Sequence, residues 1–250
     1  MGTLNYHCCI ACRKGWVAEK EATRRVDWCK YMLAKYPKPE DWKRVRFSDE
    51  VHFGLGPKER LHVIRKPGER YCKACMDIRL PPDQCDSKKV HAWGAVGYGF
   101  KSDLVFYEIP SNTNGKMTQS VYLNEILEPV IGKWLAEGHN FVLEEDRDSG
   151  HGCGERSRYK NQVQLWKESH GLEHYFNASS APDLSPIENC WQVPKSMVKR
   201  FASMEPDWIE ELVSEAWYES LKQETIDKWV LSMPERLQRV IDHDGQISGF

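Results

Sequence analysis

Apolar and polar residues alternate from Arg44 to Phe53. Val45, Phe47 and Asp49 fall on one side, and Arg44, Arg46 and Ser48 on the other, which predicts a first strand. Asp49 then shares a face with apolar neighbours, a costly position for a carboxylate unless it is paired or metal-bound. Leu61 to Arg65 reads as a second strand after the turn-forming Gly54 to Pro57. His91 to Val96 and Leu104 to Ile109 read as a hairpin-like pair around Gly97 and Gly99. Phe141 to Leu143 is the end of a buried strand, and Leu172 to Phe176 is another strand. Helical spacing appears in Trp16–Tyr36, closed by Pro37 and Pro39, and in Val121–Leu135 and Tyr159–Ser169. It appears again in Pro186–Phe201, interrupted at Pro194, then in Asp207–Lys222 and Glu224–Val240. This order predicts an α/β protein, a mixed five-stranded sheet flanked by helices. Residues 1–40 form an N-terminal segment and linker helix, 41–204 the main domain, and 205–250 a C-terminal helical extension of it.

Composition narrows the class without deciding it. The chain has 250 residues, 40% hydrophobic and 29% charged, an ordinary balance for a globular protein. It has no apolar run long enough to span a bilayer and no apolar signal core at the start, so no membrane is expected. Gly2 is not a myristoylation site, because Tyr6 stands where Ser or Thr is needed. Nine cysteines, an odd number, read as reduced intracellular thiols. A net charge of −2 argues against nucleic acid, but its distribution does not: the chain is net basic up to Cys75 and net acidic beyond.

The chemistry concentrates in acidic residues at predicted element ends. After Phe141–Leu143 come Glu144, Glu145 and Asp146, then Asp148, with His151 between Gly150 and Gly152. A buried strand that delivers a carboxylate to its end and then breaks presents a metal ligand. Partners are Asp49 in Phe47-Ser-Asp-Glu50 and Glu188 in Asp183-Leu-Ser-Pro-Ile-Glu-Asn-Cys-Trp191. With Pro67-Gly-Glu-Arg70 and Trp93-Gly94, these motifs stand in an order that resembles the mariner superfamily of DDE transposases. Their wording is most similar to its fungal, glutamate-ending branch. The resemblance runs from about Trp16 to the C-terminus.

That resemblance implies a ribonuclease-H-like catalytic domain that cleaves DNA ends and joins them to a target. Two Mg²⁺ (or Mn²⁺) ions about 3.5–4 Å apart suit such phosphoryl chemistry, and their hard-oxygen preference asks for carboxylates. Asp49 would bridge both ions, Asp146 complete one site and Glu188 the other, with Asp148 and Asp183 in reserve. Water attacks to free a 3′-hydroxyl, which then attacks the target. The implied partners are transposon ends and target DNA, with a homodimer assembled on DNA, and the implied location is the nucleus. Only about 15 residues precede the first helix, too few for a pair of helix-turn-helix units of on the order of 100 residues.

Several features pull the other way. Ser185-Pro-Ile-Glu188 is also a capping box, which a helix start favours with no catalysis. The interval from Asp146 to Glu188 is longer than usual in the branch. Arg147 stands where many relatives carry Asn. A domesticated module that binds DNA or protein without cutting therefore stays as the alternative, and a ribonuclease-H-like nuclease on RNA–DNA hybrids as a second.

Basic groups suited to a DNA backbone are Arg65, Lys66 and Arg70, then Arg156, Arg158 and Lys160, then Lys195 and Lys199 on the helix of Glu188. Solvated charge is their bland reading. His151 could orient a phosphate or a water, or bond nearby backbone. Cys72, Cys75, Cys85 and His91 offer four zinc ligands at irregular spacing, and His7, Cys8, Cys9 and Cys12 a weaker set. Trp93 and Trp191 read as core.

Overall fold

The structure, a computed structural model, describes residues 17–54, 89–109, 116–154, 160–179, 181–200 and 205–250. Among the described residues six strands make one mixed sheet: β1 (Val45–Gly54), β2 (Lys89–Gly97), β3 (Phe100–Lys101), β4 (Val105–Tyr107), β5 (Val142–Glu145) and β6 (His174–Phe176). Their order is β3-β2-β1-β5-β6, with β4 also paired to β2. β1 runs antiparallel to β2 and parallel to β5, and β5 runs parallel to β6. Five of the expected strands fall on described residues, and the count rises to six because the hairpin return is split into β3 and β4. Ser102 interrupts it: its hydroxyl accepts the Ala95 N–H at 2.8 Å, a place a strand carbonyl would otherwise take. The expected strand over Leu61–Arg65 lies outside the described residues.

The alternation of β1 carries through to packing. Val45, Phe47, Val51 and Phe53 enter a core built with Ile187, Cys190 and Trp191 of helix α5 (Pro186–Arg200). Helices α6 (Pro206–Glu215), α7 (Gln223–Leu231) and α8 (Met233–Asp242) complete that side. The opposite face carries Trp93, Ala95 and Leu143 against Tyr122, Ile126, Leu127, Trp134 and Val163. That layer contains α2 (Gln119–Val121), a π-helical stretch Tyr122–Ile131, α3 (Gly132–Ala136) and α4 (Gln162–Ser169). Pro129 sits in the π-helical stretch, where it has no N–H to give to the preceding turn, and the helix passes it with wider turns.

Three predicted helices differ in detail. α5 runs through Pro194 without a break, held by its buried face of Ile187, Cys190, Trp191, Pro194 and Val198. The helix expected over Glu224–Val240 is two, because the chain turns at Ser232 and restarts with Pro234 in the first turn of α8. The one over Asp207–Lys222 is α6 continued by a π turn, Ala216–Ser220.

Helix α1 (Glu19–Lys35) packs against α8, and a buried polar knot joins them to the start of α5. Arg25 Nη2 donates to both oxygens of Asp183 at 3.0 and 2.9 Å, and Arg25 Nε donates to the Gly245 carbonyl at 2.9 Å. The Ser248 N–H reaches Asp183 Oδ2 at 2.7 Å, and Arg236 Nη1 reaches the Asp183 carbonyl at 3.0 Å. The segment leading into α5 is thereby anchored from both ends of the described chain. No helix among the described residues is long and apolar enough to cross a membrane.

Candidate active site

Sheet register brings the first two acids together. β1 and β5 are parallel, and their last paired residues are Phe47 and Glu144. Asp49 and Asp146 each stand two residues further on, at the same end of adjacent strands. Glu188 arrives from the first turn of α5. All three line one cavity of about 400 Å³, with Ser48, Glu144, Arg147, Asp148, Asn177 and Ser185 among its other walls.

Each acid is held differently. Asp49 Oδ2 accepts the indole N–H of Trp191 at 3.1 Å. Burial raises the Asp49 carboxyl well above its usual range, and the charges of Glu50, Glu188, Asp146 and Glu144 raise it further. Asp146 Oδ1 faces His151 Nδ1 at 2.7 Å and accepts the Asp148 N–H at 2.8 Å. Burial alone would raise the Asp146 carboxyl, but its bond to His151, with the charges of His151 and Lys116, leaves it lowered. Glu188 Oε2 lies 3.5 Å from Lys195 Nζ.

The capping-box reading of Glu188 fails. The Ser185 hydroxyl donates to Glu144 Oε2 at 3.1 Å, and the Ser185 N–H goes to the Pro182 carbonyl. The side chain of Glu188 is directed to the cavity and Lys195 instead.

The run of acids after β5 divides by environment. Glu145 is fully buried: Lys167 Nζ donates to its two oxygens at 2.7 and 2.6 Å, and the Tyr122 hydroxyl also donates to it. It is a core ion pair. Glu144, 2% exposed, lines the cavity. Burial pushes its carboxyl up to about 8, the Ser185 bond pulls it down, and the charges of Asp146 and Glu145 raise it. Asp148 caps the short 3-10 turn Ser149–His151 by accepting the Gly150 N–H, and its other oxygen lies 3.5 Å from Lys116. Gly152, at φ 79°, ends that turn in the left-handed region that favours glycine.

Two expectations are corrected. Asp183 is not a reserve ligand, because its carboxylate is committed to Arg25 and Ser248 in the buried knot. His151 is not a phosphate contact: it is 3% exposed, and both ring nitrogens are engaged, Nδ1 by Asp146 and Nε2 by Glu50 Oε1 at 2.9 Å. Burial alone would lower its pKa, but the charge of Glu50 and the bonds to Asp146 and Glu50 carry it well above the ordinary value.

Of the basic groups, Lys160 is exposed and paired to Glu168 at 2.6 Å, and Lys195 and Lys199 are exposed on α5. Arg65, Lys66, Arg70, Arg156 and Arg158 lie outside the described residues, as do Cys72, Cys75, Cys85 and the cluster His7, Cys8, Cys9 and Cys12. His91, the remaining zinc candidate, has its Nδ1 2.6 Å from His52 Nδ1 across the β1–β2 pair. Among the described residues, no three His, Cys, Asp or Glu side chains stand close enough to hold a metal ion as they are oriented.

Sequence reasoning missed Trp191 and Glu50 as parts of the site. Gly94 holds the signal for the first. It pairs with Asp49 across the strands, and a Cβ there would meet Trp191 Cη2 at 3.1 Å and Trp217 Cη2 at 3.2 Å. The missing side chain lets the Trp191 indole lie beside Asp49.

No family model matches the chain. It is 27% identical over 245 residues to the Tcb1 transposase of Caenorhabditis briggsae, covering 93% of this chain and 79% of that one. It is 26% identical over 247 residues to the Tc1 transposase of Caenorhabditis elegans, covering 95% and 81%. Both of these similar proteins are transposases of transposable elements. Among solved structures, the catalytic domain of Mos1 mariner transposase superposes with a TM-score of 0.64 at 14% identity, covering 94% of this chain and 98% of that one. The Mos1 paired-end complex with the left transposon end gives 0.70 at 15%, covering 98% and 68%. The fold is therefore ribonuclease-H-like, a mixed sheet flanked by helices as in the Mos1 catalytic domain.

Proposed function

We propose that this chain is a DDE-type transposase catalytic domain that cleaves DNA ends and transfers the freed 3′-hydroxyl to target DNA. One observation carries the reading: Asp49, Asp146 and Glu188, from β1, the end of β5 and the first turn of α5, line a single cavity. The Tc1 and Mos1 likenesses support it.

The site suits Mg²⁺ or Mn²⁺. Its donors are carboxylate oxygens; burial first, and then the charges of Glu50, Glu188, Asp146 and Glu144, raise the Asp49 carboxyl, and a bound cation would offset both. Asp49, Asp146 and Glu188 would hold two ions, the last as the acid of the glutamate-ending branch. Such ions activate the attacking oxygen and neutralise the leaving one. The chain's own part is to bring the three acids to one place and to orient two of them, through Trp191 and His151. Glu188 must turn from Lys195 toward the other two for the three acids to share an ion. Exposed Lys195 and Lys199, on the helix of Glu188, offer charge to a DNA backbone. The Mos1 complexes contain transposon ends, and we infer the same partner class and a dimer assembled on it.

Calorimetry with Mn²⁺ tests the site, using wild type and the Asp49→Ala/Asp146→Ala double variant, each with and without duplex DNA. Saturable binding that the double variant loses, followed by metal-dependent nicking of supercoiled plasmid, is the expected result. No Mn²⁺ binding by wild type even with DNA present overturns the enzyme. One observation favours the alternative, a module that no longer cuts. Arg147 lines the cavity, its Nε donating to the Asn177 carbonyl at 3.0 Å, and its charge competes with a cation.

A further inference from the structure

We propose that Glu50 and His151 are positioning residues that pin the carboxylate of Asp146 by its Oδ1, leaving Oδ2 as the oxygen that takes the ion. This rests on Asp146 being a metal ligand, as argued above.

Strand alternation sets the device up. Asp49 and Glu50 are neighbours on β1 and point to opposite faces of the sheet. Asp49 goes to the cavity and Trp191, while Glu50 Oε1 reaches His151 Nε2 at 2.9 Å on the other face. His151 Nδ1 then lies 2.7 Å from Asp146 Oδ1. The ring thus joins an 11% exposed carboxylate on β1 to a 56% exposed one beyond the end of β5.

The ring itself has little freedom. Tyr122 packs on it with centroids 4.5 Å apart, and Lys167 Nζ donates to the His151 carbonyl at 2.9 Å. That lysine is the buried partner of Glu145, so the core ion pair also fixes the loop carrying the histidine. Asp146 Oδ1 accepts from the Asp148 N–H as well. Asp146 Oδ2 has no protein donor among the described residues. An otherwise exposed aspartate beyond a strand end has several open rotamers, and two donors on one oxygen select one of them. Histidine used this way, as a link between a ligand and a buried carboxylate, typically changes metal affinity about 10–100-fold when it is lost.

Amide substitutions separate the two ring nitrogens. In His151→Asn the amide N–H₂ stands near the place of Nδ1, and in His151→Gln near that of Nε2. Mn²⁺ affinity, read by electron paramagnetic resonance on the full chain with duplex DNA present, is the measurement. His151→Gln should weaken Mn²⁺ binding about 10–100-fold, and His151→Asn should stay much closer to wild type. Glu50→Ala, which keeps the imidazole but removes its anchor, should move in the same direction as His151→Gln, and it serves if the glutamine variant does not fold. A purely structural histidine predicts something else: both variants lower the thermal midpoint and neither changes Mn²⁺ affinity. That pattern, or equal losses in His151→Asn and His151→Gln, overturns the proposal. Asp146→Ala keeps the two readings apart. If it leaves Mn²⁺ binding intact, the site reading fails. If it abolishes binding while His151→Gln and Glu50→Ala do not weaken it, only the positioning role fails.

Discussion

Trp191 gives its indole N–H to Asp49 Oδ2 at 3.1 Å while its ring is stacked on Trp217, centroids 4.8 Å apart. A core residue and a site residue are here the same side chain. Trp191→Phe keeps most of the stacking and removes the donor. Loss of this hydrogen bond should cost about 0.5–1.5 kcal/mol of stability, measured by urea unfolding. Mn²⁺ affinity should fall about tenfold if the N–H orients the carboxylate. An unchanged Mn²⁺ affinity would show that Trp191 only packs.

Gly94→Ala tests the same contact from the other side. The added Cβ would lie 3.1 Å from Trp191 and 3.2 Å from Trp217, both buried rings in close packing. Overpacking of this kind costs about 1–3 kcal/mol. The indole must shift away from Asp49, so Mn²⁺ binding should weaken together with stability. A crystal structure of the variant with Trp191 unmoved would contradict this.

The Glu145–Lys167 pair separates core from site within one acidic run. Removing only the cation, as in Lys167→Met, leaves a buried carboxylate without its partner and should cost about 3–5 kcal/mol. Replacing both, Glu145→Gln with Lys167→Met, should recover a substantial part of that loss. Denaturant midpoints of the two variants, read side by side, decide it: a double variant no more stable than the single one refutes the account.

Glu144 predicts a pH slope. Its folded-state value of about 8 lies above the ordinary 4.5, so between these limits the native state keeps a proton the unfolded chain has released. Its contribution is fully present below pH 4.5 and is lost as pH rises toward 8, at up to about 1.4 kcal/mol per pH unit. Glu144→Gln removes this contribution. With EDTA present, thermal midpoints across pH 5–8 should fall more for wild type than for the variant. Parallel curves would mean that Glu144 is not held protonated.

Local pattern was enough for part of this protein. The alternation of Val45, Phe47, Val51 and Phe53 determined β1 and the face on which Asp49 sits, because one-sided burial of a strand repeats every second residue. The apolar run before Glu144 and Pro186 at the head of α5 located the ends of two elements for the same local reason. The five-residue interval to His151 favoured Asp146, but nothing local gave the separate roles of Glu144, Glu145 and Asp148 beside it. Their fates follow from partners far along the chain: Lys167 for Glu145, Ser185 for Glu144, and His151, itself tied back to Glu50, for Asp146. The same holds for Asp183, which reads as a spare ligand and is a structural anchor because Arg25 reaches it from α1. A carboxylate's role depends on its dielectric surroundings and its donors. Those are properties of packing between distant segments, and only the tertiary structure decided them.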